Sequence, residues 1–175
     1  MVSDRVSYAE SCRILQRHEL LERNEVPPLP DRAPRHDDDR AGVSFFRTRV
    51  SDVALENLTL PRTFVARSEI RSVSFRGTDL SESTANWNDF VDVDFTSADL
   101  SRADLRASTF QRVSFRDAVL RGADLRQAIL RGCTFTHADM TGAKLSRAAT
   151  WLFRLSRAQR AVVDWQPPGP APEGG

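Results

Sequence analysis

Apolar residues recur at every fifth position through the middle of the chain, from Phe45 to Leu145. All 21 of these positions, which we call centre residues, carry an apolar side chain. A helix would repeat every 3.6 residues and a strand every 2 residues, so neither element explains this spacing. A stack of short turns, with two inward positions in every five, does explain it.

A twenty-residue register emerges when centre residues four repeats apart are compared. One column reads Leu55, Phe75, Phe95, Phe115 and Phe135, and the next reads Leu60, Leu80, Leu100, Leu120 and Met140. The residues two places before the centres are mostly small. Like side chains therefore stack on like, which predicts coils of four pentapeptides. We expect about five coils, spaced about 4.8 Å apart as neighbouring strands are.

Three segments resemble the pentapeptide-repeat family: ADLSRADLRASTF (98–110), DAVLRGADLRQAIL (117–130) and HADMTGAKL (137–145). The family consensus is a small residue, Asp or Asn, Leu or Phe, a polar residue and a variable one. The resemblance implies a right-handed quadrilateral β-helix whose centre and small residues point inward. Departures from the consensus concentrate before residue 73, where Pro61 and Phe64 appear.

The chain divides into five segments by pattern and composition. Ser7 and Glu10 form a capping-box pattern beside an apolar run, which predicts an N-terminal helix. A second apolar run after the repeat predicts a C-terminal capping helix. The predicted bounds are 1–26 for the first helix, 27–42 for a proline-rich charged linker, 43–149 for the β-helix, 150–165 for the second helix and 166–175 for a disordered tail. The predicted fold class is an all-β solenoid flanked by two short helices.

The stretch TANWNDF (84–90) departs from the repeat. Its centre residue is only Ala85, which predicts a thin spot or a small void in the core. Trp87 follows two places later, where neighbouring repeats carry small or charged residues. Asn88 is predicted to point inward and to satisfy backbone groups of a turn, as small polar residues often do.

Outward aromatic residues gather on one predicted face in three successive coils: Phe46, Phe64 and Trp87. Arg106 and Arg126 follow further along the same face. Because Trp and Arg are typical of binding hot spots, these five residues form a candidate partner-binding surface. Two other interpretations stay open: the N-terminal helix covers the aromatic residues, or they are a local irregularity without a further role.

Charge is balanced overall but uneven along the repeat. The formal net charge is +1, so no global field indicates nucleic acid as a partner. Residues 42–99 hold six arginines and nine carboxylates, a net −3, while residues 100–150 hold nine basic and four acidic residues, a net +5. Pairing within the surface, as between Asp104 and Arg106, would explain this pattern. Electrostatic steering of a partner is the alternative.

No residue pattern indicates catalysis, a metal or a cofactor. His18, His36 and His137 fall in different segments, which predicts neither a catalytic triad nor a metal site. Cys133 occupies an inward position typical of an unreactive thiol, and HDDD (36–39) is typical of a solvated charge run. We expect a protein that is not an enzyme. No apolar run suits a signal peptide or a membrane span, so a cytoplasmic location away from membranes is expected.

Two functional hypotheses follow. The first is a non-catalytic scaffold that binds another protein, as an adaptor, an inhibitor or an immunity-type protein. The second, implied by the resemblance, is a DNA mimic that protects a type II topoisomerase (gyrase) from its inhibitors. That role usually needs a homodimer, for which Trp151, Leu152 and Leu155 are the predicted interface. The net +5 of the later repeats argues against a mimic. Their arginines alternate with aspartates, which argues against direct nucleic-acid binding.

Overall fold

The computed structural model describes residues 4–20, 33–35, 42–147 and 153–167. Within them the chain forms a parallel β-solenoid of about six turns with two short helices. The elements are α1 (Tyr8–Arg17), β1 (Ser44–Phe46), β2 (Arg49–Ser51), β3 (Phe64–Ala66), β4 (Glu69–Arg71), β5 (Asp89–Val91), β6 (Thr109–Gln111), β7 (Ile129–Arg131), β8 (Lys144–Ser146), α2 (Arg157–Val162) and β9 (Asp164–Gln166).

Every strand pair is parallel and shifted by twenty residues. Ser44 lies opposite Phe64 where β1 pairs with β3, and Phe90 lies opposite Phe110 where β5 pairs with β6. β2, β4, β5, β6 and β7 form a five-stranded sheet along one face. The predicted twenty-residue coil is confirmed. Its register already holds at Ser44, although the sequence before residue 73 departs from the repeat.

One residue in every pentapeptide, two places after the centre, forms a corner with a left-handed backbone. From Arg47 to Gly142 the φ angles of these corner residues lie between 51° and 66°. At many corners the next N–H donates to the carbonyl of the centre residue, as Ala98 does to Phe95 at 3.0 Å. This closes a type II turn. Pro61 suits the position before a corner residue because proline is favoured there in type II turns.

Centre residues and the residues two places before them form one continuous apolar core. Phenylalanine rings of successive turns stack nearly parallel: the centroid of Phe115 lies 5.5 Å from that of Phe95 and 5.0 Å from that of Phe135. Each buried Leu or Phe contributes roughly 1.5–3 kcal/mol of burial free energy. Since each ring rests on its neighbours, each turn depends on the turns above and below it.

Helix α1 closes the first end of the solenoid. Its buried side chains, Tyr8, Cys12 and Leu15, join the apolar core. The hydroxyl of Ser11 accepts a hydrogen bond from the N–H of Thr59 at 2.8 Å. The predicted capping box forms only in part. The Ser7 hydroxyl accepts from the Glu10 N–H, but the Glu10 carboxylate pairs with Arg13 and Arg17.

The C-terminal cap differs from the single helix predicted over 150–165. Helix α2 spans only Arg157–Val162, with a full capping box between Ser156 and Gln159. β9 then adds a sixth turn, in which Trp165 lies opposite Leu145. The prediction was too long because the twenty-residue spacing continues through Trp165 and returns the chain to the solenoid after one short helix. Neither helix in the described ranges is long and apolar enough to cross a membrane.

Several sequence predictions fall outside the described residues. These are the HDDD run at 36–39 with His36, most of the linker, the tail from residue 168 onward, and Trp151 and Leu152. Residues 166 and 167, assigned to the tail, are described, and Gln166 belongs to β9.

Candidate functional site

The face that carries Trp87, called the Trp87 face, has the least regular interior. Its centre residues are Phe45, Val65, Ala85, Leu105, Leu125 and Leu145. Behind its first part lies an interior cavity of about 40 Å³, whose apolar lining includes Val65, Ala85 and Leu105. Leu15 and Leu20 close the same cavity from the N-terminal side. The void predicted from the small Ala85 side chain is therefore present.

Two large aromatic side chains on this face are exposed to solvent. Phe46 is 52 % exposed and Trp87 is 66 % exposed. The ring of Phe46 lies 6.4 Å from the ring of Phe64, which is partly buried. Among the described residues, Trp87 makes no ring contact and lies one turn beyond this pair. The structure thus places the three aromatic residues on one face, but it joins only two of them.

Helix α1 does not cover the exposed aromatic residues. Residues of its segment bond to a different face: Val6 donates its N–H to the carbonyl of Asn57, and Arg5 donates to the carbonyl of Gly77. Arg5 also pairs with Asp79 on that face. Leu15, the one leucine of α1, is buried at the open end of the core. The interpretation that α1 covers the aromatic residues is therefore wrong.

Trp87 occupies a corner position with φ 57°. Its row of corners, called the Trp87 corner, contains Arg47, Arg67, Trp87, Ala107 and Gln127. Each of the other three corner rows contains at least one glycine, as at Gly77, Gly122 and Gly132. The Trp87 corner has no Gly, Asn or Asp. A left-handed backbone costs an ordinary residue about 1–2 kcal/mol, and bulky side chains rarely adopt it.

Asn88 points inward from this corner and is 2 % exposed. Its side-chain oxygen accepts from the N–H of Ser68 at 2.9 Å, and its side-chain nitrogen donates to the carbonyl of Val65 at 2.8 Å. The N–H of Asn88 in turn donates to the hydroxyl of Ser108. The prediction that Asn88 satisfies backbone groups is confirmed. These bonds explain how the corner is held without the usual turn residues.

Arg106 and Arg126, the basic members of the predicted surface, are engaged within the chain. Arg106 donates two hydrogen bonds of 2.8 Å to the carboxylate of Asp104. Arg126 forms a similar forked pair with Asp124, with a shortest distance of 2.6 Å. The pairing expected from the sequence is thus present. Because paired guanidiniums have fewer free donors, these two arginines are weaker candidates for a partner contact than the aromatic residues.

The carboxylates of these pairs have lowered pKa values. Hydrogen bonds from the side chain of Arg106 lower the pKa of Asp104 below its usual range. Partial burial raises the pKa of Asp124, but hydrogen bonds from Arg126 outweigh it and the net shift is downward. Both carboxylates stay ionised at neutral pH, so the paired rows are stable features of the face.

Sequence reasoning missed two arginines at the Trp87 corner. Arg47 and Arg67 lie at the corners below Trp87, and neither forms an ion pair with a described residue. The guanidinium of Arg47 lies 5.2 Å from the centre of the Phe46 ring. The signal is present in the sequence, because both residues precede Trp87 by multiples of twenty.

The remaining candidates do not assemble into a second site. Leu155, a predicted dimer-interface residue, is buried in the chain's own core, so it is not accessible to a second copy. Burial raises the pKa of the Cys133 thiol to about 11, which keeps it protonated and unreactive at neutral pH. No group of three or more potential metal ligands occurs within the part of the chain that the structure describes.

Comparison with known proteins identifies the repeat. A model of pentapeptide repeats matches residues 89–127 and 114–148, with eight copies of the repeat. A search of curated protein sequences finds no match.

Three solved structures illustrate the similarity. A pentapeptide repeat protein from the thylakoid lumen of Arabidopsis thaliana is 30 % identical, with 65 % of this chain and 72 % of that chain covered and a TM-score of 0.34. Rfr23 from the cyanobacterium Cyanothece is 15 % identical, covering 60 % and 85 %, with a TM-score of 0.37. QnrB1, a plasmid-mediated fluoroquinolone resistance protein, is 14 % identical, covering 71 % and 91 %, with a TM-score of 0.23. The chain belongs to the pentapeptide-repeat family.

Proposed function

We propose that this protein is a non-catalytic scaffold that binds another protein through the Trp87 face, as an adaptor, inhibitor or immunity-type protein. The observation that carries the proposal is Trp87 itself. It is 66 % exposed and adopts a left-handed backbone that disfavours its side chain. Strain of this kind adds nothing to the stability of the solenoid, and strained residues cluster at functional sites.

The surroundings of Trp87 support this role. Phe46 and Phe64 add apolar surface on the same face, and tryptophan is one of the residue types enriched at the energetic centres of protein interfaces. The backbone beneath is fixed by the hydrogen bonds of Asn88. Because tryptophan has only two side-chain torsions, it loses little conformational entropy when a partner binds.

Protection of a type II topoisomerase through DNA mimicry is the less favoured alternative. A mimic needs rows of free carboxylates where DNA has phosphates. All four carboxylates between residues 100 and 147 are instead paired with arginines: Asp104 with Arg106, Asp117 with Arg116, Asp124 with Arg126, and Asp139 with Arg121. Over these residues, the acidic charge that a mimic would present is thus neutralised locally.

Affinity capture with matched variants tests the proposed scaffold. The parent protein, Trp87→Gly and Ile129→Thr would each be immobilised, exposed to cell extract and compared by quantitative mass spectrometry. Ile129 is a suitable control because it is an exposed apolar residue (41 %) on a different face. We expect one protein to be captured by the parent and by Ile129→Thr, and to be lost with Trp87→Gly.

Thermal melts separate binding from folding. Glycine adopts φ 57° without strain, so we expect Trp87→Gly to melt at or above the temperature of the parent. Equal capture by all three proteins would contradict the proposal, as would a Trp87→Gly variant that melts several degrees lower. A type II topoisomerase captured equally by all three would favour the DNA-mimic alternative.

A further inference from the structure

Most arginines of the solenoid form ion pairs, and the exceptions are informative. Thirteen arginines lie between residues 47 and 131. Ten of them pair with a described carboxylate: Arg49, Arg62, Arg71, Arg76, Arg102, Arg106, Arg112, Arg116, Arg121 and Arg126. The three without such a pair are Arg47, Arg67 and Arg131. Two of these three therefore lie at the Trp87 corner.

Arg47, Arg67 and Trp87 occupy the same corner of three successive turns. Like charges one turn apart, about 4.8 Å, repel each other. The carboxylate nearest to Arg67 in sequence, Glu69, is engaged by Arg49 and Arg71. The corner thus combines unpaired like charges with a strained, exposed tryptophan. Residues that lower stability and that cluster at one position are expected at functional sites.

We propose that the Trp87 corner binds an acidic segment of the partner protein that also carries an aromatic or aliphatic side chain. This inference rests on the proposed function and specifies the chemistry of its partner. Arg47 and Arg67 would form forked hydrogen bonds with carboxylates, while Trp87 and Phe46 would contact the apolar side chain. The row from Arg47 to Trp87 spans two turns, about 10 Å, which an extended segment of three or four residues covers.

Single-stranded nucleic acid also combines negative charge with flat rings, but it fits this corner less well. Non-specific single-strand sites extend over roughly 4–16 nucleotides along a basic groove. Here the basic row ends after two arginines, since Ala107 and Gln127 continue it beyond Trp87. The adjacent Arg49 is already paired with Glu69. A short peptide matches these dimensions better.

Selection from a random peptide library tests this chemistry without knowledge of the partner. Short peptides displayed on phage would be selected on the full chain, and the enriched peptides would be synthesised and their Kd values measured by fluorescence anisotropy. The test variant is Arg47→Gln with Arg67→Gln. Glutamine suits this corner because Gln127 already adopts φ 59° there. The matched control is Arg131→Gln, which removes the third unpaired arginine on another face.

We expect the enriched peptides to contain at least two acidic residues and one aromatic or aliphatic residue. Their binding should weaken about tenfold or more in the double variant, as expected when charge-assisted hydrogen bonds are lost, and stay unchanged in Arg131→Gln. Unchanged melting temperatures of both variants would confirm that folding is intact.

The other outcomes overturn the inference in distinguishable ways. Peptides that lose binding with Trp87→Gly but not with the arginine double variant would refute the acidic partner and leave the scaffold proposal standing. Absence of any peptide that depends on Trp87 or on the arginines would refute both. An oligothymidylate that binds the parent more tightly than the peptides do, and that the double variant releases, would replace the protein partner with nucleic acid.

Discussion

The two halves of the solenoid, residues 42–99 and residues 100–147, share a backbone geometry. They differ in how completely their side chains fill the core and in how many of their arginines form ion pairs. In the second half, centre residues such as Phe110, Phe115 and Leu120 are fully buried and stack without interruption. In the first half, Phe75 is only partly buried, the interior holds a cavity, and two corner arginines lack ion pairs.

This contrast shows that regularity and binding features are separated along one axis. The repeat consensus contains the residues that pack the core and close the turns. The half that matches the consensus is therefore the rigid part of the solenoid. The half that departs from it keeps the same register, which frees its outward positions for other roles. Residues that depart from the repeat consensus without shifting the twenty-residue register are therefore a useful indicator of function.

The largest expected effect comes from breaking the ladder in the well-packed half. Phe115→Ala removes a fully buried ring that stacks on two neighbours, which should cost about 3–5 kcal/mol. The melting temperature should fall by about 10 °C for a chain of this length. Phe75→Ala should cost clearly less, because that ring is already partly exposed. Equal losses in chemical denaturation would show that the two halves are packed alike.

The next effect concerns the corner hydrogen bonds of the first half. Asn88→Ala leaves the N–H of Ser68 and the carbonyl of Val65 without partners, which should cost about 1–3 kcal/mol per buried group. In the second half the same row ends in Ala128, whose N–H donates to the carbonyl of Leu125 at 3.2 Å. Denaturant titration measures the loss. A variant as stable as the parent would mean that water or backbone movement replaces the amide.

Filling the cavity should bring the halves closer in stability. Ala85→Val occupies part of the void of about 40 Å³ and should stabilise the protein by up to about 1 kcal/mol, at roughly 24 cal/mol per Å³. Ala123→Val is the matched control, because Ala123 is fully buried in the other half. Its extra methyl groups should destabilise by about 1–3 kcal/mol. If both variants raised the melting temperature, or both lowered it, the result would contradict the difference in packing between the two halves.

The smallest effect concerns charge pairing. The folded pKa of Asp104 lies below its unfolded value, so its pairing stabilises the protein above the unfolded pKa near 4 and is lost as pH falls through the folded pKa. Asp104→Asn should therefore reduce the fall in melting temperature between about pH 5 and pH 3. Asparagine can still accept from the N–H of Arg106. An unchanged pH profile would show that the pair contributes no measurable stability.

Much of the fold could be predicted because the buried side chains recur with the period of the coil. Phe75, Phe95, Phe115 and Phe135 reveal the twenty-residue coil by identity alone. The inward orientation of Asn88 follows from its position two residues before the centre residue Phe90. The sixth turn could not be predicted this way, since α2 replaces one side of it and position 160 carries Arg160 instead of an apolar centre.

The site was predicted only in part, because its features depend on backbone conformation and on pairing between turns. The period places Trp87 outward, but it does not reveal that its position requires a positive φ. Whether Arg67 or Arg106 is free depends on carboxylates that only the folded arrangement brings within reach. The position of α1 depends on the path between residues 20 and 42, where no hydrophobic period constrains the chain.

The twenty-residue register has a consequence for how such a molecule can change its length. Adding or removing one complete coil shifts everything beyond it along the axis without rotating it, whereas adding a single pentapeptide turns everything beyond it by a quarter revolution. Arg47, Arg67 and Trp87 lie within the first three coils, so growth at the far end leaves their alignment untouched. The length of the solenoid and the alignment of its binding residues are thus independent in this architecture, and evolution can change either one alone.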